Sequence, residues 1–290
     1  MQSRTRTSLK HLQIGALLIG TATCLCGQTA GQKTFSSSNE AVDAFVTAAR
    51  AGDTNALENI LGSGSEAILS SGDAVADNSA RDKFLAKYAV KHSLVASGHH
   101  RFTLNVGSDD WPLPIPLVDS DSKWYFDGAA GKEEILYRRI GHNELSAINV
   151  CKGIVSAQKE YAASAHDGRS AGSYAERIVS SPGKEDGLYW ETKSGEPESP
   201  AGPLIADASK EGYQASDRPT PYHGYYYQML KNPAGFAFLA YPAEYRNSGI
   251  MTFVVTQKGV IHQKDLGPDT RDVVSHLENY RADGSWESVE

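Results

Sequence analysis

His223 lies within TPYHGYYYQML, residues 220–230, with Tyr222 before it and Tyr225, Tyr226 and Tyr227 behind it. An imidazole titrates nearest neutral pH and is the commonest general acid or base. A phenol donates a hydrogen bond while its ring packs. Two chemistries are open to such a cluster. A hydrolase acting on a glycan or peptide would need a carboxylate to orient the ring, and Asp265 or Glu244 is the candidate partner. A binding shelf for a sugar or peptide would need only aromatic faces. Tyr222, His223, Tyr225 and Tyr227 would supply them, together with Trp111 and Trp190, which stand beside proline- or glycine-rich turns where a rigid aromatic can anchor a partner. Against both stands a structural reading. Successive strand residues point to opposite faces and tyrosine favours strands, so the cluster reads first as part of a sheet, with His223 as a turn histidine bonded to backbone.

No other residue set competes strongly for chemistry. His99 and His100 are adjacent, so their side chains diverge, and no His-Glu-x-x-His or paired Cys-x-x-Cys spacing is present. AHDGRSAG at 165–172 lacks the alternating acids of a calcium loop. GSGS at 62–65 is not followed by the Gly-Lys-Ser/Thr of a phosphate cradle, and no Gly-x-Ser-x-Gly elbow occurs. Cys151 falls on the apolar side of a helical pattern, where cysteine acts as a small hydrophobe. No catalytic residue, metal or cofactor is therefore expected.

The compartment follows from the first 30 residues. MQSRTRTSLKHLQ carries Arg4, Arg6 and Lys10 without an acid, and a short apolar run, IGALLIGTATCLCG, comes next. That order reads as a secretory signal peptide, residues 1–30, with cleavage near Ala30. The run is shorter than the about 20 residues a bilayer span needs. Cys24 and Cys26 are not preceded by a lipoprotein-type Leu-Ala-Gly, so the expected location is periplasmic or secreted without a lipid anchor. The whole chain has a formal charge of −7, and the part beyond residue 30 keeps 25 basic against 35 acidic residues, a net of −10. Such acidity disfavours nucleic acid and anionic lipid as partners. Cys151 would be the one cysteine left, so the core carries the stability without a disulfide.

The elements that would position the candidates read as follows. Ser37 or Ser38 caps a helix with Glu40 in its first turn and Ala41, Phe45, Ala48 and Ala49 inward. A second helix follows Asp53 or Thr54, burying Leu57, Ile60 and Leu61, and a third covers 79–92. RFTLNVG alternates as a strand. Residues 111–128 hold two apolar runs around a hairpin turn at 119–122, with Pro112, Pro114 and Pro116 marking an edge strand. Residues 132–163 are the strongest helical pattern, with Leu145, Ile148, Cys151, Val155 and Ala162 on one face and Gly141 expected to break it. A proline-rich loop, 180–221, holds a short helix over 203–213. Strands over 225–230, 235–242 and a hairpin across 249–267 precede a closing helix at 269–280.

The motifs DDWPLPIPLV, KWYFDGAAGKEEILYRRIGHNEL, PGKEDGLYW, PYHGYYYQML and GIMTFVVTQKGVIHQKDLGPDT resemble those of an uncharacterised family of exported bacterial proteins, domain of unknown function 2950, from about residue 35 to 286. The resemblance implies no activity. More locally, 39–127, from AVDAFVTAARAGD to KWYFD, is similar to the cone-shaped α+β fold named after nuclear transport factor 2. ELSAINVCKGIVSAQKEYAAS and the strands after it resemble the globular head of pilins and pseudopilins. The apolar N-terminal helix that builds a pilus filament is missing.

The expected fold is α+β in two lobes: a cone-like N-terminal lobe, 31–130, and a C-terminal lobe, 131–290, in which a long helix packs on a small antiparallel sheet. The expected role is a non-catalytic binding or assembly module for a cell-envelope protein or glycan. A periplasmic hydrolase and an accessory of a pilus-like machine are the alternatives.

Overall fold

A computed structural model describes residue 29 and residues 31–214, 219–280 and 283–289. The expected leader lies outside these residues apart from Thr29 and so does its cleavage point. Among the described residues four helices come first: α1 (Ser38–Ala51), α2 (Thr54–Leu61), α3 (Glu66–Leu69) and α4 (Ala74–Val90). Ser37 caps α1 as its pattern demands, its hydroxyl accepting from the Glu40 N–H at 3.2 Å. The Glu40 carboxylate accepts from the Ser36 N–H and hydroxyl, and those hydrogen bonds hold its carboxyl below the ordinary value.

Strands β1 (His92–Gly98), β2 (Arg101–Val106), β3 (Trp111–Pro112), β4 (Leu117–Ser120) and β5 (Lys123–Phe126) form the first sheet, ordered β1-β2-β4-β5 with β3 also on β2. Phe45, Ile60, Leu104, Val106, Leu117 and Phe126 meet in the core between this sheet and the helices. Ser120 pairs with Lys123, leaving Asp121 and Ser122 as a two-residue turn with φ of 50° and 61°. Such mirror-image turns match the strand twist, which is why the polar pair fits there.

Two expectations need correction. The third helix starts at Ala74 rather than 79 and gives way at His92 to β1, a strand whose mostly exposed residues carry little apolar alternation. The three prolines do not run along one edge strand. Pro112 pairs on β2, then 113–116 leaves the ladder and β4 rejoins β2, because proline has no N–H to continue it. Leu113 and Ile115 between them are buried.

Helix α5 (Gly128–Ala162) runs 35 residues without a break at Gly141. A lone glycine costs about 1 kcal/mol in a helix, too little to stop one packed along its length. Its buried seam is Asn143, Ala147, Cys151, Ile154, Gln158 and Tyr161, whereas Leu145 is 65% exposed. The seam was displaced from the leucine because two of its members are polar. Asn143 donates to the Ser248 carbonyl, and the Gln158 amide exchanges two hydrogen bonds with Ala175 backbone.

After α6 (Gly202–Lys210) come β6 (Tyr225–Leu230), β7 (Ala237–Pro242), β8 (Met251–Thr256), β9 (Ile261–Asp265), α7 (Thr270–Ser275) and β10 (Glu287–Ser288). They form an antiparallel sheet ordered β10-β9-β8-β7-β6. One face, with Tyr225, Phe238, Phe253 and Val255, packs with the α5 seam. The other, with Leu230, Leu239 and Val254, is covered by Val274 of α7 and Tyr280. Burial on both faces explains why β7 and β8 read as unbroken apolar runs. The architecture is α+β with two antiparallel sheets; α5 packs on β7 and β8 of the second and reaches β3 of the first through Arg138, whose guanidinium lies over Trp111. No helix among the described residues is long and apolar enough to cross a membrane.

Candidate functional site

Leu204 of α6 packs on the second half of α5 at Gly153, where a Cβ would stand 2.9 Å from its Cδ2. The chain leaves α6 through Glu211 and Gly212, whose φ of 100° turns Tyr213 back. Further on, Tyr222 and Tyr225 exchange backbone hydrogen bonds at 2.9 and 3.2 Å, leaving His223 and Gly224 as the two loop residues. Their φ angles, 50° and 72°, both lie in the left-handed region that a mirror-image turn requires. The Gly224 N–H and the Tyr213 hydroxyl both donate to Asp73 Oδ2 at 2.9 Å, so this turn is anchored on the cap of α4. The His223 N–H donates in turn to the Tyr213 oxygen at 3.2 Å.

α5, α6 and this turn enclose a cleft of about 450 Å3 lined by Ser146, Asn149, Val150, Leu204, Asp207, Lys210, Glu211, Tyr222 and His223. His223 Nε2 stands 2.9 Å from Glu211 Oε2, and the ring is 19% exposed. Burial pulls the imidazole below its ordinary pKa and outweighs the nearby Glu211 carboxylate, which works the other way. In the neutral ring the carboxylate takes the Nε2–H, which leaves the Nδ1 lone pair as the basic position. The Tyr222 phenol is pushed up to about 12, first by burial and then by Glu211 and Asp207. Burial likewise raises Tyr213. His142 on α5 meets the His223 ring edge-on at 5.8 Å. The cleft's serine is not aligned for nucleophilic attack through His223, because the Ser146 hydroxyl donates to the His142 carbonyl at 2.9 Å.

The six residues singled out from the sequence do not converge. Tyr222 and His223 line the cleft. Tyr227 supports it from below, its hydroxyl donating to the Tyr222 carbonyl at 3.2 Å. Tyr225 has no exposed surface; its hydroxyl donates to the Met251 carbonyl, and burial drives its pKa far up. Trp190 packs beside Tyr161 and His166 at the C-terminal end of α5, and Trp111 lies under the Arg138 guanidinium near the first sheet. His223 is bonded through its ring to a carboxylate, not only through backbone, and that carboxylate is Glu211. Asp265 instead accepts from Tyr245 and Gly267, and Glu244 accepts from Asn247. Cys151 is buried and its thiol is pushed up to about 12, as suits a core residue.

Sequence reading missed Glu211, Asp207, Asn149 and Asp73. The only available sign was the short helical pattern ending in Lys-Glu-Gly just before the tyrosine cluster. Nothing in that pattern says which helix it crosses. A larger groove of about 810 Å3 follows α1 and α2, its lining mostly polar, with Lys33, Glu40, Asp43 and Asp53 among four alanines. Among the described residues, no group of three or more His, Cys, Asp or Glu side chains is arranged to hold a metal ion.

Neither the curated proteins nor the solved structures contain a match to this chain. A family model described as "Protein of unknown function (DUF2950)" matches residues 32–289. That match covers every element described above, and the chain belongs to this family.

Proposed function

We propose that the protein is an exported, non-catalytic binding or assembly module that recognises a cell-envelope component in the cleft between α5, α6 and the His223–Gly224 turn. The observation that carries this reading is the convergence there of hydrogen-bonding side chains from three separate elements, while Ser146 is bonded into its own helix. Convergent polar groups around a partly apolar concavity are the usual make-up of a ligand site. Export is supported by the basic-then-apolar order of the first 30 residues. A cone-like first lobe is supported by helices packed on the first sheet, and a pilin-head-like second lobe by α5 packed on the second. A thermal-shift screen of the full chain with neutral saccharides, short peptides and envelope polymers tests the reading. Ligand at about 100 times its Kd adds roughly 2.7 kcal/mol. The expected result is a shift in the wild type that Tyr222→Ala removes; no shift with any of them would sink it.

The His223–Glu211 pair supports a second reading, a hydrolase that uses His223 as base toward a bound water. A carboxylate that orients an imidazole is the usual arrangement of a general base. On this reading His223→Gln binds ligand but releases no product. Equal product release by wild type and variant would remove it.

A further inference from the structure

The charges in the cleft cancel locally, and this bears on what it takes. Lys210, its basic rim residue, lies 2.8 Å from Asp207. His223, its other nitrogen base, is turned onto Glu211 and disfavoured as a cation by burial. Among the described residues, no basic side chain lining the cleft is left without a carboxylate partner. The chain as a whole is acidic. An anionic ligand would therefore meet an acidic protein and, among the described lining residues, no unpaired cation. The carboxylates are likewise occupied: Glu211 by His223 and Asp207 by Lys210. A cationic ligand would have to displace one of these partners.

The unengaged hydrogen-bonding capacity is of another kind. Asn149 is exposed at the wall, carries both a donor and an acceptor, and has no partner among the described residues. The Tyr222 hydroxyl is bonded to Glu211, which leaves its ring face and the oxygen's acceptor capacity for a ligand. Val150 and Leu204 form an apolar patch between these groups. Groups that donate and accept, set around an apolar patch and an aromatic ring, complement a molecule with hydroxyls on its rim and C–H bonds on its faces. A pyranose ring has that constitution, and a cleft of about 450 Å3 has room for more than one.

Resting on the binding reading above, we infer that the cleft is a saccharide site for a neutral, polyhydroxylated ligand, with Asn149 and Tyr222 as its contact residues. The test is calorimetric titration of the full chain with chitotriose and maltotriose, with trilysine, and with inorganic phosphate. Asn149→Ala and Tyr222→Ala are the variants. Asn149 is an exposed helix residue that makes no bond to the described residues, so its truncation to alanine does not lower the melting temperature. The expected result is binding of a neutral trisaccharide that persists in 0.5 M NaCl and weakens at least tenfold in Asn149→Ala. Salt-sensitive binding of trilysine or phosphate, lost in Tyr222→Ala, would overturn the saccharide assignment while keeping the cleft as a binding site. Trisaccharide binding that both variants retain would move the ligand elsewhere and overturn it too. No heat with any probe would overturn both readings.

Discussion

The carboxylate of Asp73 accepts a hydrogen bond from the backbone N–H of Gly224 at 2.9 Å, across 151 residues of sequence. Its other oxygen caps α4 through the Ala76 N–H at 3.1 Å, and the Tyr213 hydroxyl completes the set. Asp73 is 1% exposed, and without it the buried Gly224 N–H and the part-buried Tyr213 hydroxyl would both be left unpaired with it. One side chain thus joins the helices of the first sheet to the turn that holds His223.

Asp73→Ala is expected to cost about 2–4 kcal/mol, combining a lost helix cap with two orphaned donors, one buried and one part-buried. Asp73→Asn, which keeps one acceptor in place, is expected to cost less. Urea unfolding of both variants checks this; equal losses would mean that the bond to Gly224 contributes nothing.

Tyr222 and Tyr225 are three residues apart and should respond oppositely to truncation. Tyr225 is fully buried against Phe253, and Tyr225→Ala is expected to cost about 3–5 kcal/mol through the cavity it leaves. Tyr222→Ala should lose ligand with a far smaller change in stability. A melt of each variant separates the two, and a Tyr225→Ala protein as stable as wild type would contradict the core assignment.

The pH dependence of stability follows from His223. Its folded-state pKa lies below the ordinary imidazole value of 6.5, so between the two the unfolded chain binds a proton that the folded chain does not. Stability is therefore full above about pH 6.5 and declines as the pH falls toward the folded value. His223→Gln should flatten that part of the curve. A wild-type profile that rises on acidification below pH 6.5, with the variant flat, would reverse the sign assigned here.

Gly153→Val tests the cleft's geometry by pushing on one lining residue, Leu204, from behind. The new side chain would meet the end of the Leu204 side chain and displace it, at about 1–3 kcal/mol for overpacking. Ligand affinity is expected to fall at least tenfold although every contact residue is retained. Unchanged affinity in the folded variant would show that the α6 wall plays no part.

How far the sequence could be read depended on whether the signal was local. Ser37, Asp53 and the Asp121–Ser122 turn declare themselves within three or four residues, and their elements were legible. The paired runs that became β6 to β9 were legible for the same reason. β1 was not, because four of its last residues are exposed and leave no alternation to follow. The α5 seam was misplaced because Asn143 and Gln158 are buried by bonds to segments 105 and 17 residues away. The site shared that difficulty. His223 and Tyr222 stood out by type, but Glu211 becomes their partner only through the folding-back of the chain at Gly212.

The 35-residue span of α5 has a further consequence for how the molecule comes apart. At about 1.5 Å per residue the helix is roughly 50 Å long; it lies by α3, reaches Trp111 of the first sheet through Arg138, and packs on β7 and β8. In its first half, the Arg139 guanidinium donates to the Ala67 and Ile68 carbonyls and to Asn247, tying both regions to one turn of the helix. Melting either end would strip apolar cover from the shared helix and break these bonds. Opening of the two cores is therefore coupled, and amide protons along α5 should exchange at a common, slow rate set by global rather than local unfolding.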